Sequence, residues 1–344
     1  MKTYFTLFIV ACQSVVALAQ DSKTPYLTKS LANDAISSVV VSTSAGGIQV
    51  SGRPGEAARI EVYITGNNGR ELSNEEAKKR LDEDYDMNIS VNGHELSAIV
   101  KNKHQNMTNW KHSISVSFKI YVPEHVSTDL KTSGGGISLD NLKGEENFRT
   151  SGGGLQIDKL SGNIHGSTSG GGIKVSNSGN NIDLKTSGGG IEANNCDGTI
   201  KLVTSGGGLH LENLKGNINA HTSGGGVEAN NIEGELITST SGGGMDLRQM
   251  KCSLEANTSA GSLNAQMVKV GKYLKLSTSA GNIDLELPLK QGLDLNLRAE
   301  GINPSKISGF NGSWGKSHVN GSVNGGGVPV EARATSGDIN VKFN

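Results

Sequence analysis

The sequence has few of the large side chains that fill an ordinary globular core. Aromatic residues make up 4% of the 344 residues, whereas 48 residues are glycine, about twice the average share of roughly 7%. A single thick hydrophobic core is therefore not expected for a chain of this length. Many thin layers of small aliphatic side chains fit this composition better.

An excess of charge of either sign is also absent. Lysine and arginine total 32, aspartate and glutamate total 33, and the formal net charge is -1. The chain therefore has neither the basic footprint of a nucleic-acid-binding protein nor the acidic bias of a disordered tail, and nucleic acid is not an expected partner. After Ala19 no apolar run approaches the ~18 residues that a membrane-spanning helix needs.

Residues 1–19 have the organisation of a secretory signal peptide. Lys2 gives a basic start, an apolar stretch follows, and Ala17-Leu18-Ala19 forms a small-x-small cleavage site. We therefore expect an exported protein, located in the periplasm, at the cell surface or outside the cell. Cys12 leaves a second interpretation open, in which this cysteine carries acyl chains as a lipid anchor.

The dominant feature is an internal repeat of 18 residues. Thr-Ser pairs recur at this spacing from Thr132 to Thr258, and seven of the eight pairs continue as Gly-Gly-Gly. Such a period determines the architecture of a chain. It predicts N-terminal coils with a cap over 20–131, a regular solenoid over 132–277, and irregular coils with a second cap over 278–344.

The spacing of apolar residues within each unit predicts an all-β fold, a two-sided parallel β-solenoid with 18-residue coils. Apolar residues alternate in two short segments per unit, as in Ile137 and Leu139 and again in Ile182 and Leu184, and a period of two indicates strands. Gly-Gly-Gly and Asn-Leu-x-Gly supply the corners. The same alternation points the repeated Thr inward, where these side chains are predicted to form a Thr ladder. Corner asparagines are predicted to form an amide ladder at Asn141, Asn177, Asn195, Asn213 and Asn231.

Three other repeat architectures fit less well. A hexapeptide β-helix needs an aliphatic residue every six positions, but steps of six from Ile137 reach Lys143 and Arg149. Calcium-binding nonapeptide coils need a recurrent acidic ligand, and the equivalent position also holds Ser, Asn, Arg and Gln. An ice-binding surface needs the repeated Thr on the outside, against the predicted alternation.

The repeat is interrupted at both ends, where unpaired strand edges of a solenoid have to be covered. Ser73 and Glu76 have capping-box spacing and predict a short helical insertion near 74–84. Strands are predicted after it, one from Ile89 with an Asn-Gly turn and one over 114–122. Residues 301–327 lose the period and are predicted to contribute to the second cap.

Two segments resemble the putative-adhesin family of bacterial β-strand-repeat domains, many of which have no known function. The strand 117–123 leading into 130–137 carries the resemblance, as does Gly325-Gly326-Gly327 followed by 335–339. It covers roughly 36–344. The resemblance implies a β-repeat fold and a role in surface adhesion, and it carries no known catalytic or ligand residue onto this sequence.

An active site would need residues that break the repeat, because a residue present in every coil belongs to the scaffold. No Gly-x-Ser-x-Gly elbow occurs, and Gly315-Lys316-Ser317 lacks the earlier glycine of a P-loop. Cys196 and Cys252 are expected three coils apart, about 14 Å, which is too far for a disulfide. We therefore expect no catalytic residue, no cofactor and no metal.

The sequence thus predicts a non-enzymatic surface or envelope solenoid that binds a surface protein or a glycan. The alternative is a polysaccharide lyase or hydrolase on a β-helix, which would need clustered carboxylates or basic residues in a groove. Exposed aromatics are frequent binding anchors, and three lie outside the regular coils: Trp110, Phe310 and Trp314. The alternative role for each tryptophan is to seal an end of the core.

Overall fold

The computed structural model describes residues 24–103, 112–304 and 309–344. These residues form 27 strands, one α-helix and one 3-10 turn, arranged as an all-β, largely parallel solenoid, so the predicted fold class is confirmed. The predicted signal peptide, Cys12 and Trp110 lie outside the described residues. The N-terminal elements are β1 Leu27–Ser30, β2 Ser38–Thr43, β3 Ile48–Gly52, β4 Arg59–Gly66, the 3-10 turn Asn67–Gly69, α1 Asn74–Asp84, β5 Tyr85–Asn92, β6 Glu95–Asn102 and β7 Ile114–Val122.

The regular coils follow. Each early coil contributes two short strands, and from β17 onward one long strand runs through the corner. The strands are β8 Ser127–Thr132, β9 Ile137–Asp140, β10 Lys143–Arg149, β11 Leu155–Asp158, β12 Ser161–Thr168, β13 Ile173–Ser176, β14 Gly179–Thr186, β15 Ile191–Asn194, β16 Asp197–Val203, β17 Leu209–His221, β18 Val227–Thr240, β19 Met245–Ala260 and β20 Leu263–Ala280.

The C-terminal strands complete the fold. They are β21 Ile283–Leu287, β22 Leu293–Arg298, β23 Gly301–Pro304, β24 Phe310–Trp314, β25 His318–Val323, β26 Val328–Ser336 and β27 Asp338–Phe343.

Equivalent strands of successive coils pair in parallel, which produces two ladders along the solenoid. In the first ladder β10 pairs with β12, with Lys143 opposite Ser161. In the second ladder β9 pairs with β11, with Ile137 opposite Leu155. Both pairings join residues 18 positions apart in the chain, so the sequence period equals one coil.

The core is a thin column of apolar side chains between the two ladders. Ile137 and Ile164, one from each ladder, are both buried. The repeated Thr is buried as well, and Thr150 Oγ1 donates to the carbonyl oxygen of Gly135 in the preceding coil at 2.7 Å. The predicted inward orientation is confirmed, although the hydroxyls bond glycine carbonyls and not one another. This orientation also removes the outward Thr array that ice binding would need.

The corner asparagines adopt the left-handed conformation, with φ between 50° and 56°, which asparagine tolerates better than most residues. Their amides hydrogen-bond from coil to coil, as in Asn213 to Asn195 at 3.1 Å and Asn231 to Asn213 at 2.8 Å. Asn141 departs from this pattern and donates to the carbonyl oxygen of Gly52. The predicted ladder is therefore confirmed from Asn177 to Asn231.

The N-terminal cap contains the predicted helix. The Ser73 side chain accepts a hydrogen bond from the Glu76 amide and starts α1. β5 and β6 form an antiparallel hairpin whose turn contains Gly93, and β7 has the predicted bounds of 114–122. β6 and β7 pair in parallel with β2 and β3, so they form a coil that lies outside the coil of 38–52 although it comes later in the chain.

The C-terminal end has a similar exchange of order. β26 pairs with β20 on one side and with β22 on the other, and β27 lies in the same way between β21 and β23. The coil of 328–343 therefore sits between two coils that precede it in the sequence. β25 and β24 add antiparallel strands beyond β22 and close the first ladder.

Candidate functional site

A groove of about 1020 Å³ runs along the second ladder between Gly47 and Glu228. Its floor contains the third glycine of successive Thr-Ser-Gly-Gly-Gly units, from Gly136 to Gly226. We call it the glycine groove. Beside the floor stands the outward side chain two residues after each third glycine. These side chains are Ser138, Gln156, Lys174, Glu192, His210 and Glu228.

The groove exists because the third glycine of each unit has no side chain and is followed by an inward residue. The carbonyl oxygen of Gly154 accepts from the Ile137 amide at 3.0 Å. The amide N–H of Gly154 donates to no acceptor among the described residues, and the same holds for Gly172 and Gly190. A regular row of backbone donors therefore lies along the groove floor, one per coil at ~4.8 Å spacing.

Ionisable side chains along the groove stack in acid–base pairs. Lys174 Nζ lies 2.8 Å from Glu192 Oε1, and His210 Nδ1 lies 3.2 Å from Glu228 Oε2. All four side chains are exposed to solvent, so each pair contributes little to stability. The strand register places these side chains in one row beside the glycine floor.

The groove carboxylates do not have the environment of a general acid. A catalytic carboxylic acid is usually kept protonated by burial, but the side chain of Glu228 is 73% exposed and that of Glu192 is 43% exposed. Burial does raise the pKa of one carboxyl, that of Glu146, to about 7. Glu146 lies in the solenoid core, where Thr128 Oγ1 donates to its Oε2 at 2.6 Å and no substrate reaches it.

The structure shows no metal centre in the part of the chain that it describes. No group of three or more His, Cys, Asp or Glu side chains lies close enough together to hold an ion within 24–103, 112–304 and 309–344. Cys196 and Cys252 are both buried and free. Burial raises the pKa of the Cys252 thiol to about 12, so this thiol is a poor nucleophile and a poor metal ligand.

Two of the three predicted aromatic binding residues lie together on β24. The Phe310 and Trp314 rings meet edge to face with centroids 5.1 Å apart, and both pack partly buried against the end of the core. The Phe310 ring lies over Gly321 of β25, where any side chain would collide with it. The third residue, Trp110, is outside the described residues. The structure thus places Phe310 and Trp314 at the C-terminal end, away from the glycine groove, and their role in recognition stays a prediction.

A cluster on the N-terminal cap was not predicted from the sequence. The Arg59 guanidinium lies 3.8 Å from the centroid of the Tyr121 ring, and Lys119 Nζ lies 4.9 Å from that of Tyr63. Glu61 accepts from both Arg59 and Tyr63. Burial, together with the hydrogen bond from Tyr63 to Glu61, raises the pKa of Tyr63 to about 12. The alternation of outward residues could have indicated the groove side chains, but this cluster depends on the distant antiparallel pairing of β4 with β7.

Comparison with known proteins gives adhesin-labelled structures at low sequence identity. A structure described as a putative cell adhesion protein from Clostridium sporogenes matches 92% of this chain and 98% of its own, at 11% identity and a TM-score of 0.20. One described as a putative adhesin from Parabacteroides merdae matches 74% and 95%, at 14% identity and a TM-score of 0.41. A further putative adhesin, from Bacteroides fragilis, matches 92% and 96%, at 11% identity and a TM-score of 0.29.

No curated protein matches the chain. Within the described residues, none of the helical structure has the length and apolar character needed to cross a bilayer. The sequence model of one domain family does match, over residues 36–342. Because that match covers most of the chain, the protein belongs to the Toastrack DUF4097 family.

Proposed function

We propose that this chain is an exported, non-enzymatic β-solenoid of the cell envelope or surface, and that it binds a linear glycan along the glycine groove. The signal-peptide pattern of residues 1–19 supports export. The adhesin descriptions of the matched structures agree with a surface role. The observation that carries the proposal is the glycine groove itself.

The groove offers the same backbone donor once per coil, together with one outward polar side chain. A repeating surface of this kind suits a partner that is itself extended and repetitive. The apolar residues next to the floor, such as Ile173 and Ile191, are buried, so no apolar anchor is offered to a folded protein. Carbon atoms make up much of the exposed groove lining, and the amide, hydroxyl and charged groups beside them supply the hydrogen bonds that sugar hydroxyls need.

A glycan-binding screen on the chain from Gln20 onward, combined with localisation of the protein in cell fractions, tests this proposal. Gln156→Trp places a large side chain beside the groove floor and is expected to weaken binding at least tenfold. Asn219→Trp is the matched control, because Asn219 is an exposed residue of the first ladder. Equal affinity of both variants, or a cytosolic location of the protein, contradicts the proposal.

The same preparation separates binding from the enzymatic alternative. Glu192 and Glu228 flank His210 on adjacent strands, so a hydrolase or lyase on this scaffold would use this part of the groove. A bound polysaccharide incubated with the protein is expected to keep its length, measured by size-exclusion chromatography. If the polysaccharide is shortened, and if Glu228→Gln abolishes the shortening, the protein is instead a polysaccharide-processing enzyme.

A further inference from the structure

The outward residue that precedes each repeated Thr forms a row along the first ladder. Strand register connects this row from β8 to β25. We call its basic members the cationic row. They are Lys131, Arg149, Lys185, His221, Arg333, Arg298 and His318. The positions between them hold Ser, Val or Asn, and no described position of the row between β8 and β25 is acidic.

The cationic row ends in three basic residues on adjacent strands. Arg333 lies opposite Arg298, and Arg298 lies opposite His318. All three are exposed. Like charges directly opposite one another destabilise a sheet, so this arrangement does not serve the fold.

Other charges stacked on the solenoid include opposite-sign pairs. Lys201 Nζ lies 3.2 Å from Asp183 on the neighbouring strand. Lys131 pairs with the carboxylate two residues before it, Asp129, at 3.0 Å. Arg333 has Glu331 at the same offset, yet within the described residues neither Arg333 nor Arg298 forms an ion pair.

An open cavity of about 580 Å³ lies at this end of the row. Arg298, Arg333 and His318 line it, with the hydroxyl-bearing residues Ser317 and Thr335 and the carboxylate of Glu300. Two guanidinium groups with hydroxyl donors beside them are suited to an oxyanion, because each guanidinium donates in a planar fork that matches carboxylate and sulfate oxygens.

We propose that the cationic row binds an acidic polysaccharide lying along the solenoid axis, with Arg298 and Arg333 as its main anion contact. Duplex DNA carries a negative charge every ~1.7 Å of its axis, whereas neighbouring basic side chains of the row are one to four strands apart, about 5 to 19 Å. No aromatic side chain stands in the row for base stacking. Widely spaced acidic groups with hydroxyls between them suit a row in which Ser, Val and Asn positions separate the basic side chains.

Binding of the chain from Gln20 onward to dextran sulfate and to polygalacturonate, with neutral dextran as control, tests this proposal. We expect binding to both acidic polymers and not to neutral dextran, with an affinity that falls as salt is added. The double variant Arg298→Gln/Arg333→Gln is expected to lose at least tenfold in affinity. Lys201→Gln removes a cation of the same ladder that is already paired, and it should change the affinity less than twofold.

Two further measurements distinguish binding at this site from a defect in folding and from binding in the glycine groove. The melting temperature of the double variant should stay constant or rise, because a like-charge contact is removed, and Gln156→Trp in the glycine groove should leave binding of the acidic polymers intact. Unchanged affinity of the double variant overturns the proposal. So does an equal loss with Lys201→Gln, or tighter binding of oligo-dT at the same salt concentration, which would assign the row to nucleic acid.

Discussion

A Cβ atom placed on Gly153 would lie 2.1 Å from the carbonyl oxygen of Gly135 in the preceding coil. The same close approach recurs at the middle glycine of the other units, for example 2.2 Å at Gly171 and 2.4 Å at Gly225. Backbone atoms on both sides cannot move without breaking the stacking. The middle glycine is therefore the one that the solenoid requires, whereas the third glycine shapes the groove.

This difference predicts opposite results for two neighbouring substitutions. Gly153→Ala should destabilise the protein by ~3 kcal/mol or more, because the methyl group meets backbone. Gly152→Ala should change stability by less than ~1 kcal/mol, since its nearest contact is an ordinary 3.5 Å to the Ser133 oxygen. Urea denaturation followed by circular dichroism measures both. Similar losses for the two variants would mean that the coils are spaced differently.

Glu146 predicts a pH-dependent stability. Burial raises its pKa from 4.5 to about 7 in the folded protein, so the folded state holds this proton more tightly than the unfolded chain. The associated stability is complete below about pH 4.5 and is lost as the pH rises through 7, by ~3 kcal/mol in all. Urea denaturation at pH 5 and pH 8 measures this loss.

Substitution isolates the contribution of Glu146 from that of other groups. Glu146→Gln should remove most of the decrease in stability between pH 5 and pH 8. Glu145→Gln, at the exposed neighbouring position, should leave the decrease as it is. An unchanged pH dependence in Glu146→Gln would show that this carboxyl is not the group responsible.

The inward and outward positions of a coil predict different tolerance to charge. Leu211 is fully buried, so Leu211→Asp should prevent folding by placing an unpaired charge in the core. The His210 side chain is 52% exposed, and His210→Asp should cost less than ~1 kcal/mol. The two variants are compared by their yield of soluble protein and by their melting temperature. Equal effects would mean that the assigned strand register is wrong by one residue.

The coil period predicts which deletions fold. Removing Thr204 to His221 takes out one complete coil and preserves the contacts between coils that become neighbours, so a folded protein shortened by ~4.8 Å is expected. Removing only nine residues, Thr204 to Glu212, deletes the second-ladder strand of the coil and joins two first-ladder strands directly, so this variant should not fold. Small-angle scattering measures the length, and a folded nine-residue deletion would contradict the coil assignment.

Trp314 allows a structural role and a recognition role to be told apart. Its ring packs on Phe310 and on the end of the core, so Trp314→Ala should lower stability by ~2 kcal/mol. Asn311→Ala, at an exposed position of the same strand, is the control. Unchanged stability together with lost glycan binding would instead support the predicted recognition role.

Local periodicity was sufficient to predict the regular coils. The buried Thr, the asparagine ladder and the helix at 74–84 each follow from residues within one or two repeats of one another. The ends could not be predicted in this way, because their strand order depends on pairing over long distances in the chain. Arg298 and Arg333 are neighbours only because β26 inserts beside β22. The sequence pattern therefore did not predict this end of the cationic row.

The inserted coil of 328–343 has a consequence for how the protein is made. The coils on either side of it, which end in β21 and in β23, are synthesised first, yet they are connected only by pairing with residues that are made later and enter between them. This end of the solenoid can therefore form only after residues 328–343 have been synthesised. Unfolding is constrained in the same way, because the coils at this end cannot detach in the order in which they occur in the sequence. The coil of 293–304 covers the coil of 328–343, which follows it in the chain. Amide exchange in β22, β26 and β20 should accordingly proceed as one cooperative unit.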